Sequence, residues 1–249
     1  MIPIKSKQDL EMLRRSGRRL SKIMRKLQEL IKPGLTTAEI DRAAEILVNQ
    51  EGAIPAFKGY RGYPASVCTS INEEIIHGIP GSRILKENDI LGLDLGINYK
   101  GFFTDAAVTL PMGQINPKTA KLIAVAKEAL YLGIKQARAE NRLFDISYTI
   151  QRHVEANGFS VVRQFVGHGI GRKLHEDPEV PNFGPLHSGP ELKNGMVLAI
   201  EPMVNMGSWE ALILENGWTA VTKDGLPSAH FEHTVAITES GPEILTAYV

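Results

Sequence analysis

Apolar residues recur at helical spacing through Leu10, Leu13, Leu20, Ile23, Leu27 and Leu30, which predicts a long amphipathic helix. Ser6 and Asp9 form a capping pair at its start, and Pro33-Gly34 is its stop signal. A second helix is predicted to open at Thr36, with Glu39 three residues on, to turn Ile40, Ala44 and Leu47 inward, and to end near Gly52. A strand over 53–57 follows. The same order then recurs. Asn116-Pro117 opens a helix carrying Leu122, Val125 and Ala129, and Asp145 opens another carrying Ile146, Ile150 and Val154. Gly158 ends that helix, and a strand is expected over 159–165. Helix, link, helix, glycine, strand thus occurs twice. The repetition predicts an α+β fold of two pseudo-symmetric halves, with a site where their sheets meet. No linker divides them, so residues 1–249 are read as a single domain.

After each helix pair come strand patterns, over 90–97, 102–110, 196–203 and 230–238, with turn signals at Glu215-Asn216-Gly217-Trp218 and Lys223-Asp224-Gly225. Asn98-Tyr99-Lys100-Gly101 reads as a four-residue turn. If Ile97 then pairs with Phe102, Asp94 falls directly opposite Asp105 on one face of the hairpin. Like charges so placed repel, and the pairing makes sense chiefly with cations between them.

Composition narrows the class without naming a chemistry. The chain has 249 residues and 43% hydrophobic side chains, enough to bury a sizeable core. Lys plus Arg and Asp plus Glu are 28 each, so the global charge supports neither a polyanionic partner such as DNA nor an acidic tail. The lone cysteine, Cys68, cannot form an intramolecular disulfide and fits a reducing compartment. No apolar stretch approaches a signal or membrane span, and the expectation is a cytoplasmic protein with no membrane partner.

Five side chains stand out against their surroundings. Asp94, Asp105, His168, Glu201 and Glu232 each lie in or beside an apolar or glycine-rich run. A lone buried carboxylate would take up a proton, so four of them imply shared cations or dedicated hydrogen-bond partners. Two divalent ions would balance four carboxylates. One imidazole among carboxylates is a mostly hard donor set suited to Mn²⁺, Fe²⁺ or Co²⁺, and it lacks the thiolates of a structural zinc site. Taken singly, each acid could equally be a hydrogen-bonded turn or strand-end group; taken together, coincidence is a poor explanation. Gly167, Gly169 and Gly171 lack dinucleotide-binding spacing, and neither a His-Glu-x-x-His zinc motif nor a Gly-x-Ser-x-Gly elbow occurs. Cys68 reads as a buried strand cysteine rather than a nucleophile. The stripe Arg14, Arg15, Arg18, Arg19, Lys22, Arg25 and Lys26 reads as a solvated helix face, with RNA as the competing reading.

These residues, in this order, resemble the type I methionine aminopeptidases. The likeness extends over nearly the whole chain, through Tyr60-Arg61-Gly62-Tyr63-Pro64, His77-Gly78-Ile79-Pro80, Gly167-His168-Gly169-Ile170-Gly171, His175-Glu176-Asp177-Pro178, Ile200-Glu201-Pro202-Met203 and Phe231-Glu232-His233-Thr234. The resemblance implies the "pita-bread" fold around a central antiparallel sheet. It also implies two divalent ions (Co²⁺, Mn²⁺, Fe²⁺ or Zn²⁺), one chelated by Asp94, both bridged by Asp105 and Glu232, the other completed by His168 and Glu201. A bridging hydroxide is then the nucleophile. Glu201 would shuttle its proton, His175 would hydrogen-bond the scissile carbonyl, and His77 would contact the reacting amide nitrogen. Phe57, Tyr60, Tyr63, Cys68 and Trp218 would line or border a methionine pocket, whereas His153 and His187 are left as surface groups.

The implied substrate is the N-terminus of a nascent polypeptide with a small second residue. The implied protein is a monomer, with transient ribosome contact through the basic helix. Many relatives have His where Arg61 stands, an aromatic where Leu174 stands, and Gly where Thr104 stands, so those positions bear on substrate preference. A proline-directed relative of the same fold usually carries an additional N-terminal domain, for which a pattern beginning near Met1 leaves no room. A non-catalytic RNA- or ribosome-binding relative would have lost metal ligands, and all five are present.

Overall fold

The computed structural model describes residues 1–247. Four helices form where the apolar spacing places them: α1 Lys7–Leu30, α2 Thr37–Gln50, α3 Pro117–Gln136 and α4 Leu143–Ala156. Ser6 and Thr36 cap the first two, each in a reciprocal box with the acid three residues on. Asn116 caps α3 by accepting from the Thr119 amide. α4 begins two residues earlier than predicted. Asp145 occupies its third position, and its carboxylate accepts from the Arg142 amide at 2.8 Å, so the acid closes the helix start rather than preceding it. Leu30, at the end of α1, is 52% exposed; the inward stripe ends at Leu27.

Nine strands make the main sheet: β1 Ile54–Pro55, β2 Cys68–Ile71, β3 Ile90–Tyr99, β4 Phe102–Pro111, β5 Gly167–Gly169, β6 Glu176–Val180, β7 Val197–Ile200, β8 Glu232–Thr238 and β9 Gly241–Ile244. Their order is β1-β3-β4-β8-β7-β5-β6, with β2 also on β3 and β9 also on β8. Every pairing is antiparallel. The two halves meet at β4 and β8, where Glu232 pairs with Ala107 and His233 with Ala106.

Period-two alternation sorts the side chains. On β3, Leu91, Leu93, Leu95 and Ile97 join the core that the four helices cover, as do Ala106 and Val108 on β4, Leu198 and Ile200 on β7, and Val235 and Ile237 on β8. The opposite face therefore takes Asp94, Asp105 and Glu232, and Glu201 continues the same parity beyond β7.

Three strand predictions change. The strands over 53–57 and 159–165 shrink to Ile54–Pro55 and Ser160–Val161; Pro55 has no amide to donate, and the partner of the second is only three residues long. The patterns over 196–203 and 230–238 each break in two, at Glu201-Pro202 and at Phe231. Their far pieces, Met203–Asn205 and Ser228–His230, form a separate sheet with Ser160–Val161.

The third change is in register. Tyr99, not Ile97, pairs with Phe102, so the turn is Lys100-Gly101, both with positive φ. Asp94 faces Ala107 and Asp105 faces Gly96. The slip is two residues, which preserves parity: the carboxylates stay on one face as diagonal rather than direct neighbours.

The basic stripe of α1 is largely paired. Arg14 makes two 2.8 Å bonds to Glu243, Lys22 meets Glu51 at 2.6 Å, and Arg19 lies 3.8 Å over the Tyr99 ring. No helix among the described residues is long and apolar enough to cross a membrane.

Candidate active site

The acidic face of the sheet floors a cavity of about 280 Å³. Asp105, His168 and Glu232 offer ligand atoms that all lie within 4.8 Å of one another. Glu201 closes on this group from the end of β7, its Oε1 being 3.7 Å from His168 Nε2. Asp94 approaches from β3, on the same face as Asp105 and diagonally across the hairpin from it.

Local contacts fix these groups. The Thr234 hydroxyl accepts from the Asp105 amide at 2.9 Å and donates to the Asp105 carbonyl at 2.8 Å. It replaces the backbone ladder where β4 and β8 part. Thr109 of β4 does the same for His230, at 2.8 and 2.9 Å, so one threonine clamps β4 to β8 and another clamps β4 to the segment just before β8. His168 Nδ1–H donates to the Gly169 carbonyl at 2.8 Å. That bond sets the tautomer and leaves the Nε2 lone pair free to face the carboxylates.

The electrostatics are those of a cation site. Burial, reinforced by neighbouring acids, pushes the Asp94, Glu201 and Glu232 carboxyls well above the usual range. Burial pushes Asp105 up to about 7, with the neighbouring Asp94 carboxyl and the hydrogen bond from the Ala106 amide opposing. Asp94 Oδ1 and Glu232 Oε1 are buried with no hydrogen-bond partner. Orphaned carboxylate oxygens converging on a free imidazole nitrogen fit divalent cations, which would supply the missing partners and reverse the pKa trend. Burial also holds His168 at about 3 and His77 at about 4, keeping both imidazoles neutral.

Phe57, Tyr60, Tyr63, Cys68, His77, and Trp218 line this cavity, and His175 stands at its exposed rim. Tyr63 packs edge-on to Trp218 and Phe57, and Trp218 edge-on to His77. His77 holds a left-handed φ of 59°, strain of a kind that collects at functional positions. The His175 ring stacks on Tyr60 at 5.2 Å and lies 4.1 Å from the His168 ring. Partial burial, then the Arg61 cation, hold His175 below its ordinary pKa. Cys68 opens β2 with its thiol pushed well up, first by burial and then by Asp94, which makes it a poor nucleophile.

Sequence reasoning missed several members of the site. Ile76, Gln164, Phe165 and Val166 also line the cavity; the apolar pattern over 159–165 predicts strand for Gln164 and Phe165 and marks neither as a site residue. His230 is buried, its Nε2 has no hydrogen-bond partner, and it lies 3.6 Å from Glu201 Oε2. Its position two residues before Glu232 was the available signal. His187 is exposed, whereas His153 is half-buried, 3.5 Å from Glu128.

Residues 11–239 match the model of metallopeptidase family M24. A methionine aminopeptidase of Clostridium perfringens is 54% identical over 246 residues, covering 99% of each chain. The chain belongs to family M24, among its methionine aminopeptidases. As a member of a metallopeptidase family with this buried donor set, it uses divalent metal. The crystal structure of the Thermotoga maritima methionine aminopeptidase superposes with a TM-score of 0.97 at 44% identity, covering 99% of both chains. The prolidase of Pyrococcus furiosus shares the fold at a TM-score of 0.79, but at 24% identity and with this M24 chain covering 65% of it. The fold is thus the pita-bread arrangement, with its antiparallel sheet shared by two α+β halves.

Proposed function

We propose that the chain removes the N-terminal methionine from polypeptides whose second residue is small. The observation that carries this reading is the convergence of three buried carboxylates, the half-buried Glu201 and a tautomer-fixed imidazole on the floor of an aromatic, cysteine-bearing cavity. The 54% identity to a methionine aminopeptidase selects this reading over a proline-directed one.

In this reading Asp94, Asp105, His168, Glu201 and Glu232 hold two ions, with Mn²⁺, Fe²⁺, Co²⁺ and Zn²⁺ as the candidates. Bound ions supply Lewis acidity toward the scissile carbonyl and make water acidic enough to attack at neutral pH. Glu201, at the end of β7 with one oxygen 3.7 Å from His168 Nε2 and the other 3.6 Å from His230 Nε2, takes the proton from the attacking water and returns it to the leaving amine. His175, a neutral N–H donor held by its stack on Tyr60, donates to the carbonyl oxygen as negative charge develops. His77, also neutral, contacts the reacting amide nitrogen.

Phe57, Tyr60, Tyr63, Cys68 and Trp218 pack the methionine side chain, where thioether sulfur meets aromatic faces. The substrate's free α-amine, with a pKa of about 7.7–8, deprotonates readily and joins the donor set, which restricts cleavage to the first residue. His77, Phe165 and Trp218, with ring centroids 6.0 and 6.3 Å apart, crowd the second side chain. Nascent chains are the natural source of such N-termini.

The test is mass-spectrometric release of methionine from Met-Ala-Ser and Met-Leu-Ser by metal-stripped protein, before and after adding Mn²⁺, Co²⁺ or Fe²⁺. Metal-restored cleavage of the alanine peptide alone is expected. Equal cleavage of both would remove the small-residue rule, and no release with any ion would end the reading.

A further inference from the structure

A second cavity, of about 620 Å³, shares a wall with the first. Arg61, Val166, His168 and His175 line both. Its volume is that of a ligand site rather than a packing gap, and none of the roles above uses it. The chain's own Met1 and Pro3 form part of its rim.

The charges around it do not cancel locally. Glu176 is engaged by Lys5 and by the amides of Arg172 and Lys173. Asp177 meets the Met1 amine at 3.3 Å, and Arg172 meets Asp9 at 2.8 Å. That leaves Arg61 and Lys173 against Glu179, three exposed side chains with no ion pair among the described residues. Arg61 alone of these three also borders the inner cavity. It projects from a tight turn with a left-handed φ of 49°, between Gly59 and Gly62, which also have positive φ. Its guanidinium lies 5.4 Å from the Tyr60 ring, on which His175 stacks at 5.2 Å. A fixed cation therefore stands one ring away from the imidazole assigned to the scissile carbonyl.

We infer that this second cavity receives the substrate chain downstream of the cleaved bond, and that Arg61 makes it select acidic over basic side chains at the third and fourth residues. The inference deepens the methionine aminopeptidase reading and rests on it. An extended peptide advances about 3.3–3.6 Å per residue. With the first carbonyl at His175, a chain leaving along the shared wall brings its third and fourth residues alongside Arg61. The ligand class is an extended peptide with Asp or Glu two or three residues beyond the methionine. The contact is solvent-exposed, so its effect is moderate and salt-sensitive.

The experiment compares kcat/KM for Met-Ala-Glu-Ala and Met-Ala-Lys-Ala, with Mn²⁺ present, in the unaltered protein, Arg61→Gln and Arg61→Glu. Each protein is read as the ratio of its two peptides, so a general loss of activity in a variant cancels. A ratio of about three to ten in favour of the acidic peptide is expected, on the order of one attraction plus one repulsion at an exposed site. Arg61→Gln should bring it near one, Arg61→Glu should invert it, and about 0.5 M NaCl should compress it. Equal cleavage of both peptides by the unaltered protein, or a ratio that Arg61→Glu leaves unchanged, would overturn the inference while leaving methionine removal intact. Failure to cleave either peptide would overturn the methionine reading and this inference with it.

Discussion

Gly169→Ala should disable the site without removing any functional group. Gly169 follows His168 on β5 and pairs with Glu176, the neighbour of His175, at an irregular step in the β5–β6 register. A Cβ there would lie 2.1 Å from the Asp177 carbonyl oxygen and 2.9 Å from that of Glu176. Both are backbone atoms, so no rotamer change relieves the contact. Restoring ordinary contact at 3.4 Å requires the two strands to part by about 1.3 Å at this point. His168 lies on β5 and His175 immediately precedes β6, and their rings are 4.1 Å apart. A misplacement of about 1 Å in a catalytic group costs on the order of 10²-fold in rate, and overpacking of this kind costs about 1–3 kcal/mol of stability. The expected Tm loss is roughly 2–10 °C for a chain of this size. Gly92→Ala is the control: it lies on β3 two residues from Asp94, and its Cβ would meet Ser70 at an unstrained 3.4 Å. The assay is kcat/KM on Met-Ala-Ser with saturating Mn²⁺, alongside metal content and thermal melting. Gly169→Ala within about threefold of the unaltered protein, with an unchanged Tm, would refute the argument that strand separation at Gly169 sets the spacing of the two histidines.

Glu201→Ala should lose bound metal and nearly all turnover, because it removes a carboxylate donor 3.7 Å from His168; full activity with normal metal content would contradict its role. His175→Ala should retain metal but lower kcat by about 10²–10³-fold, the range seen when one oxyanion donor is lost, and a change confined to KM would argue for binding alone. The metal-stripped protein should lose thermal stability as pH rises above 6.5. Asp105 is raised to about 7, and Asp94, Glu201 and Glu232 well above their ordinary values, so the folded state binds more protons there than the unfolded state, and ionising these groups destabilises it. Below 6.5 the buried histidines, His77 at about 4 and His168 and His230 at about 3, act in the opposite sense, which confines the clean test to the higher range. A melting series from pH 6.5 to 8.5 with and without Mn²⁺ checks this, and a slope that added metal leaves unchanged would count against it.

Local information was enough for the helices, the strands that carry the acids, and the acids themselves. Capping boxes at Ser6 and Thr36 are contacts over three residues, and a carboxylate in an apolar run is conspicuous without knowledge of its partners. The parity of Asp94 and Asp105 survived a register error of two residues because side chains repeat every two positions along a strand. The proposed roles of His77 and His175 rest on the family resemblance, because a lone histidine carries no such signal in the sequence.

Tertiary structure decided everything that depends on where separate segments meet. The sequence by itself determined amphipathic stripes, caps, turn signals and a set of acids in need of counter-charge. Those are properties of neighbours in the chain, governed by helix and strand periodicity and by the cost of burying charge. Folding set the two-residue turn at Lys100-Gly101, the breaks at Pro202 and Phe231, and the threonine clamps of Thr109 and Thr234. It also brought His230 beside Glu201, and Arg61 beside a cavity rimmed by the distant Met1. Each is a contact across many residues, and its geometry follows from the packing of whole sheets, which no local pattern encodes.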